Sequence, residues 1–154
     1  MKPKTILGIV LLLFAAASVG VLVAKEVLKR GETNAPTPPV APADGIIVYY
    51  FYNNVRCPTC HKIEAYTQEA VQDGFADALR DGRLRWRPVN TDEPENGHFK
   101  EDYDLFTKSV VVAQIRGGRP KRWKNLELLW DLVGDKDAFL KYIRDEVRPF
   151  VEGQ

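Results

Sequence analysis

Ile46-Ile47-Val48-Tyr49-Tyr50-Phe51-Tyr52, followed by Asn53-Asn54-Val55-Arg56 and then Cys57-Pro58-Thr59-Cys60-His61, is the stretch on which the reading of this chain turns. The unbroken apolar and aromatic run is what a central strand covered on both faces requires. From residue 61 to 79 the apolar positions Ile63, Tyr66, Ala70, Phe75 and Leu79 recur at near-helical spacing, and Asp81-Gly82 marks an end. A strand, a short turn and a helix set two thiols at a helix N-terminus, where the partial positive charge of unpaired N–H groups favours thiolate over thiol. These are the only two cysteines in 154 residues. Spaced as an active pair, they point to a redox site and leave no disulfide framework.

The same letters carry a second reading, because Cys-x-x-Cys-His is also the attachment pattern of a c-type haem. Cys57 and Cys60 would then form thioethers and His61 would be an axial ligand, with His98 or an open site opposite, since Met1 is the only methionine. Strand-like runs before the motif and at 110–115 weigh against that reading, because small cytochromes c are largely helical around the haem.

Toward the N-terminus, residues 5–24 are apolar without a single charge, about the 20 residues that a helix needs to cross a hydrocarbon layer. They are read as a membrane anchor within residues 1–30, ahead of a cleaved signal peptide, for which Lys2, Lys4 and Ala15-Ala16-Ala17 would serve. Lys2 and Lys4 face Lys25, Lys29 and Arg30 across the span, a near tie in the charge rule that sets orientation. The short basic start favours the N-terminus in the cytoplasm and the domain outside, in the periplasm if the source is bacterial. Residues 31–44, with Pro36, Pro38, Pro39 and Pro42, are read as a semi-extended tether. The folded domain is expected over residues 45–152.

Toward the C-terminus, residues 84–90 form a strand with Leu84 and Trp86 on one face and Arg83, Arg85 and Arg87 on the other. Pro88 and the charged face argue for a sheet edge. A turn at 92–97 and a short helix over 98–105 come next, then a buried strand at 110–115, a tight turn at Gly117-Gly118 and a return strand at 119–124. Residues 126–133 are mixed. Residues 135–151 place Phe139, Tyr142, Ile143, Val147 and Phe150 on one helical face, with Asp135 as N-cap. The expected order is βαβαββα, an α/β domain preceded by one N-terminal transmembrane helix.

That order, with Cys-x-x-Cys between the first strand and the first helix, resembles the thioredoxin fold across nearly all of residues 45–152. More narrowly, the residues at 57–64 (CPTCHKIE), 90–96 (NTDEPEN), 107–109 (TKS) and 122–126 (RWKNL) resemble a membrane-anchored thioredoxin-like family labelled nitrophenyl compound nitroreductase subunit ArsF. The resemblance implies that Cys57 is the exposed nucleophile and Cys60 the resolving cysteine. Three departures from the thioredoxin pattern stand in this chain. Val55-Arg56 replaces the tryptophan before the first cysteine, Thr107-Lys108-Ser109 lacks the cis-proline, and the first strand has no buried carboxylate.

Residues near the pair are expected to tune it. Arg56 and His61 each add positive potential, Pro58 suits the first helical turn and lacks an N–H, and Lys108 would favour thiolate. Glu64, four residues after Cys60, is either a substitute proton acceptor or a solvated helix residue. His98 is read as a turn or cap residue, and the basic cluster at 116–124 as a solvated face before a contact for anionic lipid or an acidic partner.

The chain carries 22 Lys and Arg against 21 Asp and Glu, a formal charge of +1, so it has no nucleic-acid footprint. It has no flavin or dinucleotide fingerprint either, since Gly117-Gly118 lacks the strand-turn-helix setting of a phosphate loop. The expectation is a membrane-tethered thiol-disulfide oxidoreductase or electron relay that needs no cofactor beyond the Cys57–Cys60 disulfide and works on a partner redox protein or membrane complex. The alternatives are an accessory subunit whose dithiol holds a soft metal, with His61, His98 or a second chain completing the site, and the c-type haem protein.

Overall fold

The computed structural model describes residues 44–153, so the expected span at 5–24 and the tether up to residue 43 lie outside the described residues. Among the described residues no helix is long and apolar enough to cross a membrane.

Strand β1 (Gly45–Tyr52) lies inside a four-stranded sheet, and six of its residues are buried, as its uninterrupted apolar run requires. On one side it pairs in parallel with β2 (Leu84–Asn90), with Ile46 opposite Leu84 and Tyr52 opposite Asn90. On the other it pairs antiparallel with β3 (Ser109–Arg116), which pairs antiparallel with β4 (Arg119–Asn125). The sheet order is β2-β1-β3-β4. Pro88 therefore sits on an edge strand, where its missing N–H breaks no central ladder. This mixed sheet with its helices has the arrangement expected of a thioredoxin-like fold.

Helices α1 (Pro58–Gly74) and α2 (Ala76–Arg80) join β1 to β2. A 3-10 turn (Pro94–Asn96) and helix α3 (Phe99–Asp102) join β2 to β3, and α4 (Leu129–Leu132) and α5 (Lys136–Glu152) close the domain. The alternation of β1 divides the core. Ile46, Val48 and Tyr50 pack with Ile63, Ala70 and Val71 of α1 and with Phe139, Ile143 and Val147 of α5. Ile47, Tyr49 and Phe51 face the other way, against Phe99, Tyr103, Val111 and Ile115. Fully burying such side chains stabilises by about 1.5–3 kcal/mol each, so both faces are closed by apolar packing.

The helix starts at Pro58, in the first-turn position expected for that proline, but the periodic stretch over 61–79 is not one helix: it breaks at Phe75, whose φ of −140° is not helical. A Cβ on Gly74 would meet Cγ of Arg144 at 3.0 Å, so glycine lets α5 approach closely here. The helix expected over 98–105 is reduced to one turn, closed by a bond from Leu105 N to Lys100 O at 2.9 Å.

The β3–β4 hairpin turns on Gly117 and Gly118 at φ of 60° and 72°, the double left-handed geometry of a two-residue turn that glycine adopts without steric cost. Gly117 N donates to the carboxylate of Asp44 at 2.7 Å. Part of the basic cluster is engaged with α5: Lys124 bonds Glu146 at 2.6 Å, and the Arg122 guanidinium lies 4.2 Å from the centre of the Phe150 ring.

Candidate functional site

Cys57 is the last extended residue before α1, at φ −113° and ψ 160°, and Pro58 occupies the first helical turn. The Cys57 sulfur caps the helix by accepting from Cys60 N at 3.1 Å. Pro58 has no N–H to leave unpaired at that position. Cys57 and Cys60 are joined as a disulfide, with 2.12 Å between the sulfurs and 5.0 Å between the Cα atoms. Cys60 is fully buried, whereas Cys57 is half-buried. The two ends of the bond are thus unequal in access, and access decides which sulfur an incoming thiolate reaches.

Arg56, His61 and Glu64 converge beside this turn. One terminal nitrogen of the Arg56 guanidinium, Nη2, pairs with the Glu64 carboxylate and also donates to His61 Nδ1 at 3.3 Å. A guanidinium carries no acceptor, so Nδ1 of His61 is the accepting side of this contact. The guanidinium lies 4.3 Å from the centre of the Tyr52 ring and 6.0 Å from that of Tyr50. Arg56 and Glu64 are about three-quarters covered, with side-chain exposures of 23% and 25%. Glu64 is therefore an ion-paired residue rather than a solvated one.

Tyr50 and Tyr52 were not singled out as site residues in the sequence. Their signal was the alternation of aromatics at β1, which puts both on the face that α1 covers. The Tyr50 hydroxyl donates to the carbonyl of Cys60 at 2.9 Å, in a fully buried setting. Burial pushes the Tyr50 hydroxyl up to about 12, with Arg56 pulling the other way and Glu64 and Tyr52 adding to the rise.

Lys108 and His98 do not join this cluster by any contact among the described residues. Lys108 helps line a cavity of about 290 Å³ with Tyr52, Asp92, Lys100 and Phe106, and that cavity is lined by neither cysteine. Its carbonyl accepts from Trp130 Nε1 at 3.2 Å. His98 stands at the N-cap position of α3 without a side-chain capping bond, with Nδ1 2.9 Å from Glu95 O and its ring 4.1 Å from that of Phe99. Phe99 packs on the sheet face opposite to α1, so the fold separates His98 from the sulfurs. Among the described residues no group of three or more His, Cys, Asp or Glu side chains is arranged to hold a metal ion.

A thioredoxin-like domain whose Cys-x-x-Cys pair closes as a disulfide at a helix N-terminus is the class that fold and site define. The chain is similar to a thioredoxin from Thermus thermophilus known from its solution structure, at 20% identity and a TM-score of 0.44, over 71% of this chain and 80% of that one. It is also similar to a solved structure described as that of a malarial protein, at 15% identity and a TM-score of 0.34, over 53% of this chain and 81% of that one. No protein-family model and no curated protein matches it.

Proposed function

We propose that the protein is a membrane-tethered thiol-disulfide oxidoreductase that cycles Cys57 and Cys60 between disulfide and dithiol and passes two electrons to or from a partner protein. The observation that carries this reading is the disulfide itself, with its outer sulfur at the helix N-cap and its inner sulfur buried. In the reducing direction the Cys57 thiolate attacks a partner disulfide and one partner thiolate leaves. Cys60 then gives up its proton and attacks Cys57, which releases the second partner thiolate. The partner takes two electrons and two protons, and the internal disulfide is restored.

The tether is the reading of residues 5–24, and the short, signal-like basic start supports an extracytoplasmic domain. The narrower resemblance to the nitroreductase-subunit ArsF family supports an accessory electron relay, in which another polypeptide carries any organic cofactor.

The test is a redox titration of the full chain against glutathione buffers, with free thiols counted at each step. Loss and recovery of two thiols together at one potential is the expected result. A Soret band, one tightly held metal per chain, or thiols that never close on each other would refute the exchange reading. Fractionation of cells expressing the full chain tests the tether, and recovery in the soluble fraction would remove it.

A further inference from the structure

We propose that Glu64 sets the reactivity of Cys57 through Arg56, with Arg56 and Glu64 acting as paired positioning residues whose ion pair restrains the thiolate-favouring charge beside the disulfide turn. This rests on the reading that Cys57 and Cys60 exchange, and it adds which neighbouring charges set the acidity of the outer thiol.

Arg56 directly precedes Cys57, and its guanidinium contacts His61 and Glu64 in the first turns of α1, so left unpaired it would add a full positive charge to the partial charge that the helix N-terminus already presents. The fold does not leave it unpaired. Glu64 lies four residues beyond Cys60 on α1, and helical side chains lean back toward the N-terminus, which brings its carboxylate onto Nη2 of Arg56. It is the one ion pair that Arg56 makes among the described residues. From α1 the guanidinium is faced by Glu64 and His61, and from β1 by Tyr50 and Tyr52. Glu64 is the one carboxylate among these four groups. His61 meets the guanidinium through Nδ1, and the two tyrosines present their ring faces to it.

The helix N-terminus thus acts on Cys57 beside a neutralised pair. Replacing the Glu64 carboxylate by an amide removes one negative charge and leaves the Arg56 charge uncompensated, a net change of one unit that favours the Cys57 thiolate. An unpaired opposite charge within about 4–6 Å of a thiol changes its thiolate fraction by about tenfold or more at a pH below the midpoint. Removing Arg56 acts in reverse, since it leaves the Glu64 charge uncompensated near the same sulfur.

The measurement is the pH profile of alkylation of the reduced full chain by iodoacetamide, with the modified residue located by peptide mass. For Glu64→Gln the profile should move to lower pH, with Cys57 reacting roughly tenfold faster on the acid limb. For Arg56→Gln it should move to higher pH. In the double variant, which again carries no net charge at the pair, the profile should return close to the native one. A Glu64→Gln profile that coincides with the native one, or a double variant displaced as far as Glu64→Gln alone, would overturn the proposal. Far-UV circular dichroism confirms that each variant is folded, and a role confined to holding the loop would leave the pH profile unmoved. A native chain that shows no exchange turnover, while Glu64→Gln still displaces the profile, would sink the exchange reading and support the charge pairing.

Discussion

The Tyr50 hydroxyl, on the central strand, reaches the carbonyl of Cys60 at 2.9 Å, so the sheet grips the turn of helix that carries the inner sulfur. The bond crosses from β1 to α1 inside the core, with both residues fully buried. It fixes where the helix starts relative to the strand, and with it where the disulfide stands.

Tyr50→Phe should therefore lower stability by about 1 kcal/mol, the net contribution of a typical buried hydrogen bond, read as a lower urea midpoint at unchanged slope. An unaltered midpoint would mean that the contact holds nothing. The variant should also respond differently to alkali. The folded hydroxyl is pushed from 10.0 up to about 12. The stability tied to it is fully present below pH 10 and is lost as pH rises through about 12, because the unfolded chain ionises first. Tyr103 is raised as well by burial, so Tyr50→Phe should make the alkaline decline shallower without abolishing it.

Cys60→Ser separates the roles of the two sulfurs. With the buried partner gone, a mixed disulfide formed at Cys57 has no internal thiol to resolve it. Incubation with glutathione disulfide should leave about one glutathione on the variant, seen by intact mass, whereas the native chain closes its own disulfide and sheds it. A glutathione adduct that persists on Cys57→Ser, with none on Cys60→Ser, would reverse the assignment.

The hairpin turn gives a prediction independent of redox chemistry. Gly117 sits at φ 60°, a conformation that costs an L side chain roughly 1–2 kcal/mol. Gly117→Val should lose at least that much stability. Gly134→Ala meets nothing within 4 Å and should stay within about 0.5 kcal/mol of the native chain. Equal effects of the two substitutions in chemical denaturation would contradict the turn geometry.

Asp135 caps α5 by accepting from Ala138 N at 3.1 Å. Asp135→Ala should cost about 1 kcal/mol, while Asp135→Asn, which keeps an acceptor oxygen, should cost far less. Thermal unfolding of the two variants checks the order, and an equal loss for both would assign the effect to charge rather than to the cap.

The parts legible in the sequence were those that neighbouring residues decide. The apolar run at 46–52 required a strand covered on both faces, Pro88 required an edge, Gly117-Gly118 required a tight hairpin, and Asp135 could cap the helix after it. Cys57-Pro58-Thr59-Cys60 after a strand already placed a sulfur pair at a helix start. Each rests on period, turn chemistry or a short spacing, which are properties of the chain before it folds.

Packing decided the rest. The helix breaks at Phe75 beside Gly74, where Arg144 of α5 packs closely from a distant part of the chain, and no local pattern announces that approach. His98 stood open as a partner for the sulfurs until β1 divided the molecule into two faces and set Phe99 beneath the other one. Arg56, His61 and Glu64 were separate candidates in the sequence. The register of α1 on β1 made them one cluster over Tyr50 and Tyr52, because a guanidinium finds its carboxylate and its aromatic face only where strand and helix have been packed together.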